Sequence, residues 1–312
     1  MVNPFPPNKN PNPHLISYVS SATSRVLGSG NSQVARFVDC DSHLRQSDAV
    51  LVFGSIAYST REVISLSKAC RQMKLPLCFW STDDPYEIDL HLDVANCFDW
   101  IWTNDRASLP FYDMDNVSQL PLAADPGTHC LPFPKESDYL YDVSFVGVEF
   151  PNRREILKAI QPLLEALDSI VIGPNWTLDT RFIRRTKISN REAAHVANLS
   201  RVVLNMGRTT HLANTRCITP STPGPRTFEV GGCSTVQLVS WDQPEIEEYY
   251  VQGEEFIFCD GVTDFEREIQ DLVHDRDKRR KLAEASFGRT KSCHMYDHRV
   301  KEIVDRIGKL LH

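Results

Sequence analysis

The sequence predicts an α/β protein made of two Rossmann-like, doubly wound domains that face a cleft. Short, continuously apolar runs alternate with amphipathic segments along the chain, which is typical of parallel strands covered by helices on both faces. This alternation stops at a proline-rich passage, residues 125–134, and then starts again. The chain has 312 residues, of which 41% are hydrophobic, so it can bury two cores. We therefore predict an N-terminal domain at 1–125 and a C-terminal domain at 126–295.

The N-terminal half opens with a proline-rich segment, 3–13, which we predict to be a loop because proline disrupts helices and central strands. Small and apolar residues at helical spacing then predict a helix over 14–27, which Gly28 ends. Apolar runs alternate with helical patterns beyond it, and the clearest of these helices covers 60–73. The predicted strands are 35–39, 49–53, 75–80, 100–103 and 117–120.

The C-terminal half repeats this order of elements. Its last helix, 299–311, carries an apolar stripe that includes Val300, Ile303 and Ile307, so we expect this stripe to pack against another element. The predicted strands are 142–147, 169–173, 201–206, 236–239 and 255–259, and the earlier helices are 153–167, 191–199, 264–273 and 277–287.

Composition narrows the class of protein. A net charge of −7 argues against duplex nucleic acid or an anionic membrane as the partner. The nine cysteines form no CxxC pair, which favours reduced thiols in a cytoplasmic protein. No apolar run reaches the roughly 18 residues that a membrane span needs. The oligomeric state is left open by these observations.

The residues that follow the strands are the ones to inspect for function, because open parallel sheets bind ligands at the carboxyl ends of their strands. The N-terminal half places carboxylates there, including Asp83 and Asp84. The C-terminal half places arginines there, at Arg153, Arg154 and Arg208. An arginine-rich edge suits a diphosphate leaving group, and a carboxylate-rich edge suits a hydroxylated acceptor whose proton must be removed.

The stretch from Thr222 to Cys233 is the strongest candidate for ligand binding. A Pro-Gly-Pro run feeds a short helix, where backbone N–H groups and the guanidinium of Arg226 predict an anion site. Glu229 lies on the same side of the first turn and could accept hydrogen bonds from two vicinal hydroxyls of a ribose. The alternative is a plain loop before a helix, in which Glu229 is favoured by its first-turn position alone.

Six motifs together resemble the spore-maturation (CgeB-like) branch of the group 1 glycosyltransferases, which have the GT-B fold. They occur in the family's order and cover most of the chain from about His14 onwards. The motifs are Phe79-Trp-Ser-Thr-Asp-Asp-Pro85, Phe98-Asp-Trp-Ile-Trp-Thr-Asn104, Leu120-Pro-Leu-Ala-Ala124, Val143-Ser-Phe-Val-Gly147, Arg201-Val-Val-Leu-Asn205 and Arg226-Thr-Phe-Glu-Val-Gly-Gly232.

The resemblance implies that the second domain holds a nucleotide-sugar donor, that the first meets the acceptor, and that no metal is essential. It also implies that the last helix, 296–312, packs back on the first domain. Glu229 matches the carboxylate that holds the donor ribose, and the backbone at Arg226 and Thr227 matches part of the diphosphate cradle. We add the loops at Gly147 and Gly173 to the donor side.

The resemblance also suggests catalytic residues. Arg153 and Arg154 lie where related transferases carry a basic pair that neutralises the leaving phosphates, and Arg208 is a further donor-side candidate. Asp83 and Asp84 match the aspartates of the branch's Trp-x-x-Asp-Asp-Pro motif, although an Asp before proline is also common in turns. This chain departs from the family at its N-terminus, where prolines replace the long first strand and its glycine loop.

The predicted function is metal-independent transfer of a sugar from a nucleotide-diphosphate donor to a nucleophile on a small-molecule, glycan or peptide acceptor. The alternative is a non-catalytic nucleotide-sugar sensor or scaffold. A phosphate-binding oxidoreductase would need a dinucleotide fingerprint, and the sequence after Gly147 lacks the GxGxxG pattern. The donor base, the sugar, the acceptor and the anomeric outcome stay open.

Overall fold

The computed structural model describes residues 1–5, 12–208, 212–240 and 242–312, so most of the predicted loop at 3–13 lies outside the described residues. The chain divides into two compact units. Unit 1 consists of Met1–Leu122, His211–Thr222 and Tyr296–His312, and unit 2 consists of Ala123–Thr210 and Pro223–Met295.

Each unit is built on a parallel sheet, which contains six strands within the described residues. The strands are β1 (Val2–Asn3), β2 (Ala35–Arg36), β3 (Val50–Phe53), β4 (Leu77–Trp80), β5 (Trp100–Thr103), β6 (Val117–Gln119), β7 (Tyr141–Val146), β8 (Ser169–Ile172), β9 (Ile183–Arg184), β10 (Ser200–Asn205), β11 (Val236–Ser240) and β12 (Ile257–Cys259). In unit 1 the strand order is β2-β1-β3-β4-β5-β6, and in unit 2 it is β12-β11-β10-β7-β8-β9. The predicted class, α/β with two parallel sheets, is therefore confirmed.

Helices connect the strands, and several begin at residues that favour the first turn of a helix. Proline occupies the first turn of five of them, where its fixed φ suits a helix and its missing N–H costs nothing. The helices are α1 (Pro13–Leu27), α2 (Asp41–Leu44), α3 (Thr60–Met73), α4 (Ile88–Leu92), α5 (Pro126–His129), α6 (Pro151–Ala159), α7 (Gln161–Ala166), α8 (Asn190–Asn198), α9 (Pro225–Gly231), α10 (Val262–His274), α11 (Arg276–Cys293) and α12 (Tyr296–Leu310).

The two cores are separate hydrophobic clusters. The strand β4 is buried at every residue, and its side chains pack with those of α3 and β5 to form the core of unit 1. In unit 2, β7, β8 and β10 pack against α6 and α10. Burial on both faces explains why these strands read as continuous apolar runs rather than as alternating ones.

The last helix, α12, packs against α1 inside unit 1. Tyr18 and Tyr296 contact each other with ring centroids 5.9 Å apart, and Arg25 pairs with Asp297 at 2.6 Å. Val300 and Ile303, from the predicted apolar stripe, are buried. Within the described residues, no helix combines the length and the apolar character that a membrane crossing requires.

Candidate active site

The carboxyl edge of the unit 2 sheet brings two strand ends into close contact. A Cβ atom added to Gly173, after β8, would lie 2.0 Å from the carbonyl oxygen of Gly147, after β7. The indole Nε1 of Trp176 donates a hydrogen bond to the same oxygen at 3.0 Å. The structure therefore gives Gly173 a steric reason to be glycine, and it places both glycines at the predicted edge.

A buried carboxylate cluster forms around Glu229 at the start of α9. Glu229 is 3% exposed, and its Oε2 lies 3.0 Å from Nη1 of Arg226. The amide Nδ2 of Asn190 donates to Glu229 Oε1 at 3.0 Å, and Arg226 Nη1 donates to Asn190 Oδ1 at 3.3 Å. Two side chains, from Arg226 on α9 and Asn190 on α8, thus fix the position of the Glu229 carboxylate, and Arg226 balances its charge.

His129 closes this cluster from α5. The backbone N–H of Asp125 donates to His129 Nδ1 at 2.9 Å, while His129 Nε2 lies 3.1 Å from Asn190 Nδ2 and 3.9 Å from Glu229 Oε1. Burial lowers the pKa of His129, although the nearby Glu229 opposes this effect. The ring is therefore neutral near pH 7, and Arg226 is the cation in contact with Glu229. Asn190 and His129 did not enter the sequence-based site.

Thr227 anchors α9 to the sheet through a buried amide network. Its Oγ1 accepts from Asn205 Nδ2 at 2.8 Å and donates to Gln243 Oε1 at 2.8 Å. Gln237 Nε2 donates to the Thr227 carbonyl at 3.1 Å. The Thr227 hydroxyl is thereby committed to holding the first turn of α9 against β10 and β11.

The candidate arginines differ in what they contact. Arg153 donates to the carbonyl oxygens of Met206 and Gly207, both at 2.9 Å, and to that of Val148 at 3.0 Å. It therefore ties the loop after β7 to the end of β10. Arg154, its neighbour on α6, is exposed.

Arg208 and Asp242 lie at the same edge. The guanidinium of Arg208 is 5.8 Å from the Phe150 ring centroid. Asp242, which the sequence reasoning missed, accepts from the Gly207 N–H at 3.0 Å and from Asn152 Nδ2 at 2.9 Å. A Cβ atom on Gly207 would lie 2.6 Å from the Asp242 carboxyl carbon, so glycine permits this close approach.

In unit 1, Asp84 lies at the centre of a buried polar network. Its Oδ2 accepts from Thr103 Oγ1 at 2.6 Å and from Ser81 Oγ and Tyr112 OH, each at 2.9 Å. Its Oδ1 lies 2.6 Å from His91 Nδ1, and the Asp84 side chain is 0% exposed. This carboxylate has four partners inside the protein.

The charges in this network stabilise one another. Burial alone would raise the pKa of Asp84, but His91 and the hydroxyl donors hold it below the usual range. Burial alone would lower the pKa of His91, but Asp84, with Glu87 and Asp83, raises it. Both shifts favour the ionised pair, a carboxylate next to an imidazolium.

Asp83 is half-buried and differs from Asp84 in its surroundings. Its Oδ2 accepts from Thr82 Oγ1 at 2.9 Å, and its carbonyl oxygen accepts from the Glu87 N–H at 3.0 Å. The peptide bond between Asp84 and Pro85, just before α4, is cis. The two adjacent aspartates thus occupy different environments, one solvated in part and one enclosed.

The sequence of this chain is similar to those of known proteins. Residues 153–305 match the family model described as "Glycosyl transferase-like". The spore protein CgeB of Bacillus subtilis is 26% identical over 241 residues, which cover 72% of each chain. The predicted resemblance is therefore confirmed.

Solved structures show the same fold at low sequence identity. Anabaena HepE, solved with UDP and glucose, superposes with a TM-score of 0.66 at 11% identity and covers 98% of this chain and 99% of its own. A DNA-modifying β-glucosyltransferase, studied with and without uridine diphosphoglucose, has a TM-score of 0.61 at 13% identity over 99% of this chain and 98% of its own. These matches confirm the predicted GT-B fold.

Proposed function

We propose that this chain, a glycosyltransferase by its matched domain and its GT-B fold, moves a sugar from a nucleoside-diphosphate donor to a nucleophile on a small-molecule, glycan or peptide acceptor. The observation that carries the proposal is the buried Glu229 carboxylate, fixed by Arg226 and Asn190 at the start of α9. A carboxylate buried to this degree needs a reason, because its desolvation is costly.

In this proposal Glu229 binds the donor ribose. Each carboxylate oxygen has more than one lone pair, so contacts to Arg226 and Asn190 leave acceptor capacity for two vicinal hydroxyls. The side chain of Arg226 is 34% exposed, so its guanidinium can also contact the diphosphate. Thr227 and the glycines at 147 and 173 support this arrangement by shaping the edge of the sheet.

The chemical step needs charge stabilisation where the donor breaks. The bond between the acceptor oxygen and the anomeric carbon forms, and the diphosphate leaves with the electron pair of the old glycosidic bond. Arg154, Arg208 and Arg226 would stabilise that leaving group. Arg153 would act indirectly, by holding the loop after β7 against the end of β10, because its guanidinium already donates to three backbone carbonyls. We propose that no metal takes part.

The acceptor would meet unit 1 near Asp83. Asp83 is the more accessible of the two motif aspartates, whereas Asp84 is enclosed by its four partners. Asp84 would then hold the shape of this segment rather than take the acceptor proton itself. The negative net charge supports a neutral or basic acceptor over a nucleic acid. Cytoplasmic location stays a prediction.

The test is a ligand screen followed by turnover. Thermal shift with UDP-glucose and with GDP-, ADP- and dTDP-sugars should show one preferred base, since a bound ligand raises the apparent stability. UDP-glucose comes first because HepE and the DNA-modifying enzyme were studied with it. Release of the nucleoside diphosphate in the presence of EDTA would support metal-independent transfer.

Two results would contradict the proposal. Absence of any stabilisation by nucleotide sugars would reject donor binding. Saturable binding without turnover, tested over a panel of sugar and peptide acceptors and in water, would instead favour the sensor or scaffold module.

A further inference from the structure

Four polar side chains form a continuous buried row at the carboxyl ends of β3 and β4 in unit 1. The row runs from Asp84 to His91, then to Glu87, and ends at Ser55. The Asp84 Oδ1 to His91 Nδ1 distance is 2.6 Å, and the His91 Nε2 to Glu87 Oε2 distance is 4.0 Å. Ser55 Oγ donates a short hydrogen bond to Glu87 Oε2.

Glu87 is placed differently from an ordinary residue at the start of a helix. It is the N-cap of α4, yet its side chain makes no capping hydrogen bond. The carboxylate turns instead toward Ser55, in the segment that follows β3. Glu87 is 8% exposed, and it lies in the segment that follows β4, at the edge where parallel sheets bind ligands.

His91 has one nitrogen engaged and one that faces Glu87. Its Nδ1 donates to Asp84, which fixes the orientation of the ring. Its Nε2 is buried and has no hydrogen-bond partner among the described residues. A buried polar atom without a partner is costly, so this arrangement calls for an explanation.

The charges around His91 explain how the ring can be tolerated there. Asp84, Glu87 and Asp83 face it, and Tyr112 approaches Asp84 from the far side. Burial opposes protonation of His91, but these carboxylates raise its pKa. The protonated ring then carries an Nε2–H directed toward the Glu87 side of the row.

We propose that Glu87 accepts the proton of the acceptor hydroxyl, and that His91, held by Asp84, is the positioning residue that keeps Glu87 in place. This inference rests on the proposed function, because it assumes that unit 1 meets the acceptor. As the new glycosidic bond forms, the hydroxyl proton moves to Glu87 and the diphosphate leaves with its electron pair. Removal of a general base costs about 10²-fold or more in rate.

NMR titration of the His91 ring tests the coupling without any substrate. In the wild-type protein the proton should stay on Nδ1, and Nε2 should titrate with a pKa above that of an ordinary histidine. Glu87→Gln should lower this pKa, because a facing anion is lost. Asp93→Asn is the control, since Asp93 is an exposed carboxylate just after α4. An unchanged His91 titration in Glu87→Gln would overturn the proposal.

The variant His91→Asn separates positioning from packing. The amide nitrogen of asparagine can replace Nδ1 and keep the bond to Asp84, but it leaves nothing facing Glu87. We expect His91→Asn to lower kcat for UDP release from UDP-glucose, with water as the acceptor, by about tenfold, less than the roughly hundredfold loss in Glu87→Gln.

The pH dependence of kcat and the affinity for UDP-glucose, both measured for His91→Asn, complete the test. His91→Asn should flatten the alkaline limb of the kcat profile and leave the UDP-glucose affinity unchanged. A full wild-type rate and profile in His91→Asn would show that the bond to Asp84 is the whole role of His91. A wild-type protein that neither binds nor cleaves any nucleotide sugar of the screen would instead count against the proposed function, while the His91 titration would still decide the coupling.

Discussion

At the scale of single residues, the two motif aspartates are neighbours in sequence with opposite roles. Asp84 accepts four hydrogen bonds and is enclosed, whereas Asp83 is in part accessible. We expect Asp84→Asn to reduce the free energy of unfolding by about 3–5 kcal/mol, because it leaves a buried cation without its counter-charge. Asp83→Asn should change it by about 0.5 kcal/mol or less. Urea denaturation of both variants measures the difference, and equal losses would contradict it.

The Asp84–His91 pair also predicts how stability depends on pH. The pKa of Asp84 is lowered, so its contribution is full above the ordinary carboxyl pKa and is lost as pH falls through the lowered value. The pKa of His91 is raised, so its contribution is full below the ordinary histidine pKa and is lost as pH rises through the raised value.

The contribution of the pair should therefore be largest between about pH 4 and 6.5, the ordinary values of the two groups. Denaturation midpoints of the wild type and of His91→Gln, measured from pH 4 to 9, check this. The difference between them should shrink on the alkaline side. A difference that stays constant across that range would mean that the pair carries no charge.

The arginines differ at this scale as well. Arg153→Ala should lower stability, because three backbone carbonyl oxygens lose their donor. Two of these contacts are part-buried and should cost about 1 kcal/mol each, whereas the contact to Val148 is exposed. Arg154→Ala should leave stability unchanged and reduce UDP release. Matched melting and turnover assays separate the two, and a stable but inactive Arg153→Ala protein would contradict this assignment.

At the scale of elements, the close approach of the ends of β7 and β8 predicts that alanine destabilises the protein at Gly173 but not at Gly288. Gly173→Ala would place a Cβ atom within 2.0 Å of a backbone carbonyl, and we expect a loss of about 1–3 kcal/mol or more. Gly288→Ala, within α11, meets no atom within 4 Å and should stabilise unit 2 by up to about 1 kcal/mol. Equal melting temperatures of the two variants would show that the strand ends can move apart.

The helix α12 should be essential for unit 1. Removing residues 296–312 would expose the surface on α1 that contacts Tyr296, and would remove the Arg25–Asp297 pair. We expect aggregation or a clear loss of stability. Removal of Leu311 and His312 alone, which lie beyond α12, should be tolerated. A soluble and equally stable protein without α12 would contradict its structural role.

Strands were easier to predict than their irregular neighbours. The strand predicted at 100–103 and the helix predicted at 60–73 have the observed bounds. The continuous apolar run of the strand and the helical spacing of apolar residues in the helix are both clear in the sequence. The strand predicted at 35–39 ends at Arg36, and a short 3-10 turn follows it. The helix predicted at 153–167 is split at Ile160, because Pro162 lacks the N–H that would continue it.

The site was predicted in part. Arg226 and Glu229 lie within one helical turn, so their contact could be foreseen from spacing. Asn190 and His129 reach Glu229 from elements far along the chain, and no local pattern marks such contacts. The enclosure of Asp84 could not be foreseen either, because Thr103, Tyr112 and His91 converge on it only after folding.

At the scale of the whole molecule, unit 1 is assembled from three stretches of chain and unit 2 from two. The sequence-based limits, 1–125 and 126–295, stay predictions of the domain organisation. The family match begins at residue 153 and ends inside α12, so it spans most of unit 2 and part of unit 1. We propose that unit 2 binds the donor and that unit 1 meets the acceptor.

This division predicts that variants in unit 1 lose turnover alone, whereas variants in unit 2 lose both donor affinity and turnover. Variants of Asp83 and Glu87 should keep the affinity for UDP-glucose and lose turnover. Variants at the unit 2 edge, such as Arg226→Ala, should lose both, because cleavage of the donor also needs the leaving diphosphate to be stabilised. Binding and turnover measured on the same preparations check this, and an Asp83→Asn protein that binds no donor would contradict the assignment of the two units.

Calorimetric titration of UDP-glucose and of UDP into the wild type and Glu229→Ala determines whether Glu229 holds the donor. We expect saturable binding to the wild type, and an affinity loss in Glu229→Ala that reflects about 1.5–3 kcal/mol for each charge-assisted hydrogen bond to the ribose. The variant should keep its fold, as judged by circular dichroism. Equal affinity of a folded Glu229→Ala protein for both ligands would contradict the claim that this carboxylate holds the donor.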